Sequence, residues 1–123
     1  MLSFRLNDAY TAAYTTNRSS DIMVTPVLLH PKSRGTITLK SNDPKDKPLV
    51  DPNYLADQQD VETLYRAIQF VIALNNTEAL RKYGAHVVVF DYPDCGSFHK
   101  LSKDWWICGI RHLGTTVSIS SKL

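Results

Sequence analysis

Four histidines, two cysteines and a scatter of aspartates are the residues of this 123-residue chain able to carry acid–base, nucleophilic or metal chemistry. His30, His86, His99 and His112 stand far apart in the sequence, and no metal site is expected from them. Cys95 and Cys108 are too few for a disulfide framework and are not read as part of a metal set, so free, partly buried thiols are expected. Folding could bring Asp91, Asp94 and Asp104 together as paired carboxylates, yet loop and helix-cap positions account for all three without chemistry. Trp105, Trp106 and Tyr92 offer rings on which a sugar could stack. Adjacent tryptophans on a helix point in different directions, however, so one is expected in the core and the other at an interface. None of the five glycines, at 35, 84, 96, 109 and 114, forms a Gly-x-Gly-x-x-Gly or Walker-type loop. A nucleotide phosphate cradle of those kinds is therefore missing from this sequence.

The elements that must position these residues are unevenly marked. Leu2–Ser20 has no apolar period and is read as a loose lead-in. Ile22–His30 is β-branched but interrupted by Pro26, which suggests an edge strand or two short pieces. Thr36–Lys40 alternates in period two after the turn Ser33-Arg34-Gly35 and reads as a half-buried strand. Three prolines and three aspartates between Ser41 and Tyr54 predict an ordered loop, with a short extended piece at Leu49-Val50.

Val61, Leu64, Ile68, Val71 and Ile72 then recur as one face of an α-helix requires. Asp57 is placed to cap it, Glu62 and Arg66 to pair across one turn, and Asn75-Asn76 to end it. A short helix over Thr77–Tyr83 is expected to stop at Gly84. His86–Phe90 has strand composition, and Asp91–Ser97 that of a loop. A last helix is capped by Ser102, opened by Asp104 and stopped by Gly114.

Hydrophobic residues at 43% and charged residues at 21% fit one modest soluble domain with a marginal core. The net charge of +2 is spread without a Lys/Arg block, which argues against a nucleic-acid or polybasic membrane surface. No stretch approaches the roughly 18 apolar residues of a membrane span, and the first residues do not read as a signal peptide. Asn17-Arg18-Ser19 and Asn75-Asn76-Thr77 match the N-glycosylation pattern, which matters only in a secretory pathway.

The ordered series His30-Pro31-Lys32-Ser33-Arg34-Gly35-Thr36-Ile37-Thr38-Leu39, Pro48, Pro52-Asn53-Tyr54-Leu55 and Asp60 opening an amphipathic helix resembles the glucose-methanol-choline (GMC) flavoprotein oxidoreductases. Trp106-x-Cys108-x-x-Arg111-His112-Leu113 resembles the helix that precedes the active site in arthropod glucose-dehydrogenase-like members. The resemblance runs from about Val27 to Val117. It implies an α+β fold, with a partial antiparallel sheet and flanking helices, belonging to the substrate domain that covers FAD bound by a separate βαβ domain. The expected organisation is a lead-in over 1–21, a partial substrate domain over 22–117 and a divergent tail over 118–123.

In that family a histidine of a His-Pro-x-Gly-Thr segment handles the hydroxyl proton while hydride passes to the flavin. His112-Leu113-Gly114-Thr115 could be aligned with it but is one residue short. In the register anchored by Trp106, Cys108 and Arg111, Ile119 falls where the catalytic histidine belongs, and isoleucine accepts no proton. The resemblance thus implies no catalytic, cofactor-binding or metal residue of this chain's own. It implies instead an FAD-domain partner, an alcohol or sugar substrate in the parent enzyme, and a change after Val117 read as truncation, splicing or an altered frame. The alternative is a non-catalytic protein- or sugar-binding module. The compartment stays open, since the sequons and the resemblance favour a secreted parent and the first residues do not.

Overall fold

The computed structural model describes residues 24–88 and 92–113. The lead-in over 1–21, Asp91, Gly114, Ile119 and the tail over 118–123 lie outside the described residues. Two short strands, β1 (Thr36–Thr38) and β2 (Leu49–Asp51), precede a long helix α1 (Gln58–Asn75), one helical turn α2 (Glu78–Arg81), a 3₁₀ turn (Pro93–Cys95) and helix α3 (Lys103–Leu113). The class is α+β.

Helix α1 begins where a side chain replaces the missing carbonyl partner, with Asp57 Oδ1 accepting from the Gln59 amide at 2.8 Å. It ends at Asn76, whose amide still donates to the Ile72 and Ala73 carbonyls. The Glu62–Arg66 pair forms at 3.9 Å, and Lys103 of α3 also reaches Glu62, at 2.9 Å. After α2 the chain turns at Gly84, whose φ of +73° lies where a side chain would be strained. Ser102 starts α3 by accepting from the Trp105 amide through its hydroxyl and from the Trp106 amide through its carbonyl, both at 3.1 Å.

The core lies between α1, α3 and the 3₁₀ turn. Cys95, Trp105 and Trp106 are buried, and Tyr65, Ile68, Ile72, Tyr92 and Cys108 pack around them. Trp105 sits against Tyr92 with centroids 4.6 Å apart and meets the edge of Trp106 at 4.7 Å. Both indoles are therefore internal, which corrects the expectation that one would face an interface. Positions 100° apart on a helix fit within one wide apolar stripe when α1 and the Tyr92–Cys95 segment enclose it together.

The strand expectations fare worse. β1 and β2 pair antiparallel, with Thr36 opposite Asp51, Ile37 opposite Val50 and Thr38 opposite Leu49. No third strand joins them among the described residues. Ile37 and Leu39 are 72% and 84% exposed, so the expected half-burial is absent. Residues 24–30 and 86–88 form no strand despite their β-branched composition; 22, 23, 89 and 90 lie outside the described residues. A strand needs a ladder partner, and propensity alone does not supply one.

Candidate functional site

The segments that carry the family resemblance meet around one carboxylate. Asp60, in the first turn of α1, is 3% exposed. Its Oδ1 accepts from the Lys32 amide at 2.8 Å, and its Oδ2 accepts from the Ser33 amide at 2.8 Å and the Ser33 hydroxyl at 2.5 Å. The same hydroxyl accepts from the Asp57 amide at 3.0 Å, and the Lys32 ammonium donates to Gln59 Oε1. The Lys32 backbone donor, the Ser33 hydroxyl and amide, and the nearby Arg34 guanidinium hold the Asp60 carboxyl below its usual range, against the opposing effect of burial. A buried charge is tolerated here because both oxygens are engaged.

Two further strands of the network fix the neighbouring chain. Asn53 Nδ2 donates to the Arg34 carbonyl at 3.0 Å, and its own amide donates to Asp51 Oδ1 at 2.9 Å. Gly35 passes so close to β2 that a Cβ there would stand 2.1 Å from the Asp51 carbonyl oxygen. Asn53 and Leu55 hold positive φ angles of 48° and 57°, a costly conformation for leucine. Arg111 of α3 secures that turn by donating to the Leu55 carbonyl at 3.4 Å and to Gln58 Oε1 at 3.1 Å. The network joins α3 to the loops flanking the sheet. Its chemistry is positional, since its carboxylate is fully engaged in hydrogen bonds.

A second polar cluster joins α3 to the 3₁₀ turn. Cys95 and Cys108 form a disulfide, their Cα atoms 5.9 Å apart, and the expectation of free thiols is overturned. The 3₁₀ turn and α3 bring together residues 13 positions apart within ordinary bridging distance. His112 lies beside the pair, and its Nδ1 is 3.6 Å from Asp94 Oδ2. The Cys108–His112 spacing of one helical turn was the available sequence signal for this grouping, and the low cysteine count obscured it. Asp94 is thus placed beside a histidine. His30, His86 and His99 do not join this cluster. Tyr92, Trp105 and Trp106 are packed against one another and form no open sugar platform.

The match to the C-terminal domain model of GMC oxidoreductase covers residues 31–120, and the chain belongs to that family. Glucose dehydrogenase [FAD, quinone] of Drosophila pseudoobscura pseudoobscura is 42% identical over 95 residues, which are 77% of this chain and 15% of that protein. Its counterpart in Drosophila melanogaster is 39% identical over 95 residues, with the same coverage of 77% and 15%. Alcohol dehydrogenase [acceptor] of Pseudomonas putida is 43% identical over 61 residues, 50% of this chain and 11% of that one. The chain matches about 15% of the length of the Drosophila proteins.

FAD, printed in the names of the Drosophila relatives, was tested against the residues present. The two most defined hollows among the described residues are surface grooves. One is bordered by Phe98, Ile107 and Arg111 and the other by Gln69, Arg81 and Trp106, and no glycine lines either of them, so neither contains a glycine-rich turn for a pyrophosphate. The described residues do not by themselves fit a flavin.

Proposed function

We propose that this chain supplies substrate-side scaffold for an FAD-dependent oxidoreductase acting on the CH–OH group of an alcohol or sugar, and that these 123 residues alone do not turn over. The observation that carries this reading is the Asp60 network. It engages Lys32, Ser33, Arg34 and Asn53, while Arg111 ties the adjoining Leu55 turn to α3, so the segments most typical of the family are fastened into one unit. The unit sets backbone position and offers no proton acceptor for a hydroxyl. In the register that Trp106, Cys108 and Arg111 define, Ile119 occupies the place of the family's proton-accepting histidine.

The test is a pair of chimeras in the Drosophila melanogaster glucose dehydrogenase, replacing its matching segment with residues 31–113 or 31–120 of this chain. The shorter chimera retains flavin and glucose-dependent dye reduction. The longer one retains flavin and loses dye reduction, because it brings Ile119 with it. Loss of flavin from the shorter chimera would contradict the scaffold role, and full activity in the longer one would contradict the Ile119 register.

A second reading, as a non-catalytic protein- or sugar-binding module, draws support from the exposed apolar side chains of Ile37, Leu39, Leu49 and Val50. It predicts a stable complex with a partner other than a flavoprotein domain. The two readings separate on whether a flavin-bearing partner competes for that face.

A further inference from the structure

We propose that reduction of the Cys95–Cys108 disulfide opens a zinc site whose ligands are Cys95, Cys108 and His112, with Asp94 as the fourth. The sulfur and ring-nitrogen ligand atoms of Cys95, Cys108 and His112 already lie within 4.8 Å of one another. Asp94 Oδ2 is 3.6 Å from His112 Nδ1. In a tetrahedral zinc site with Zn–S of about 2.3 Å and Zn–N of about 2.0–2.1 Å, the edges between ligand atoms are roughly 3.8 Å for two sulfurs and roughly 3.3 Å for nitrogen and oxygen. The three grouped ligand atoms and the Asp94–His112 pair are near those separations, so closure on a metal needs the sulfurs to separate once their bond is broken and Asp94 to turn toward them.

The backbone holds the four positions in two rigid pairs. Asp94 and Cys95 are consecutive in the 3₁₀ turn, and Cys108 and His112 are one turn apart on α3. Packing of Trp105 and Trp106 with Cys95 and Tyr92 joins the two elements as well. Cys108 and His112 both border an open groove, which gives access from that side, while Cys95 is buried. Two thiolates and an imidazole suit Zn²⁺, while hard oxygen-preferring cations are disfavoured by the sulfurs.

The chemistry balances as two steps. A dithiol reductant delivers two electrons and two protons, the Cys95–Cys108 bond breaks into two thiols, and the reductant closes to its own disulfide. Zn²⁺ then binds both sulfurs and the two thiol protons pass to solvent. Re-oxidation of the pair, with a disulfide oxidant accepting the two electrons, releases the metal. Disulfide and zinc are alternative clasps between the same two elements.

The test uses the full chain, reduced with a phosphine so that no added thiol competes for metal, and titrated anaerobically with Co²⁺ and then Zn²⁺. The expected result is one Co²⁺ per reduced chain with the visible bands of tetrahedral thiolate coordination, displaced by Zn²⁺, and no stoichiometric uptake by the oxidised chain. His112→Ala changes a partly exposed side chain and should leave the fold intact, as far-ultraviolet circular dichroism would check. It is expected to weaken Zn²⁺ binding by more than about 100-fold, beyond the range for loss of an outer-sphere partner. If the reduced chain loosens, zinc should restore its helical signal. Absence of stoichiometric metal in the reduced chain, equal uptake by the oxidised chain, unchanged affinity in folded His112→Ala, or a loosened chain that zinc fails to restore would each overturn the proposal.

Discussion

The helical half of the molecule and the strand half are built on opposite terms. Around α3, Val61, Cys95, Trp105, Trp106 and Ile110 are buried, and a disulfide closes the unit. Around β1 and β2, Ile37, Leu39, Leu49 and Val50 are exposed, and the two strands are held by three register pairs and by the Asp60 network. One half contains its own hydrophobic driving force, whereas the other depends on polar fastening and leaves its apolar side chains uncovered. Composition already separates them in part, because residues 58–113 are much richer in apolar side chains than residues 31–57, where proline, aspartate and lysine dominate. The difference is whether a second layer lies within reach.

The comparison can be broken most forcefully at Trp105. Trp105→Ala removes the most enclosed large side chain and is expected to lower stability by about 3–5 kcal/mol, read from the urea midpoint. A change that small domains absorb without a midpoint shift would mean that the core is elsewhere. Replacing Cys95 and Cys108 together by serine releases a closure spanning 13 residues and is expected to cost about 3 kcal/mol in the same measurement.

Acid probes the strand half. The Asp60 carboxyl is held below its ordinary value of 3.8, so its contribution is fully present above that pH and is lost as pH falls through the lower folded-state value. Amide exchange at Lys32 and Ser33 should accelerate in that acidic window, ahead of the α3 amides, and Asp60→Asn should remove the pH dependence. Simultaneous acceleration in both halves would merge the two regions into one cooperative unit. The smallest effect belongs to Ile37→Ser, which should shift stability by less than about 0.5 kcal/mol, because Ile37 is already exposed. A larger loss would show that this side chain is covered in solution.

The parts legible in the sequence were those determined by neighbours along the chain. The Asp57 and Ser102 caps, the α1 stripe ending at Asn75-Asn76 and the Gly84 stop all follow from groups a few positions apart, and the structure contains each of them. Pairing across long separations was not legible. The Cys95–Cys108 bond, the burial of both tryptophans and the grip of Asp60 on residues 27 and 28 positions away depend on how α1, α3 and the 3₁₀ turn pack. Asp60 was marked by its place in the family's motif series, yet its role as an acceptor for the Lys32-Ser33 loop appears only once that loop crosses the first turn of α1. The β-branched runs at 24–30 and 86–88 failed for the same reason, since a strand is defined by its partner.

In the proposed scaffold role, this chain contributes position and packing to flavin-dependent alcohol oxidation, with the chemistry supplied by other residues. The most direct test is the absorbance spectrum of the purified 123-residue chain after incubation with FAD, followed by a dye-reduction assay with glucose and simple alcohols. The expected outcome is a folded chain with no retained flavin absorbance and no substrate-dependent dye reduction. Stoichiometric yellow flavin with alcohol- or glucose-dependent reduction would contradict it.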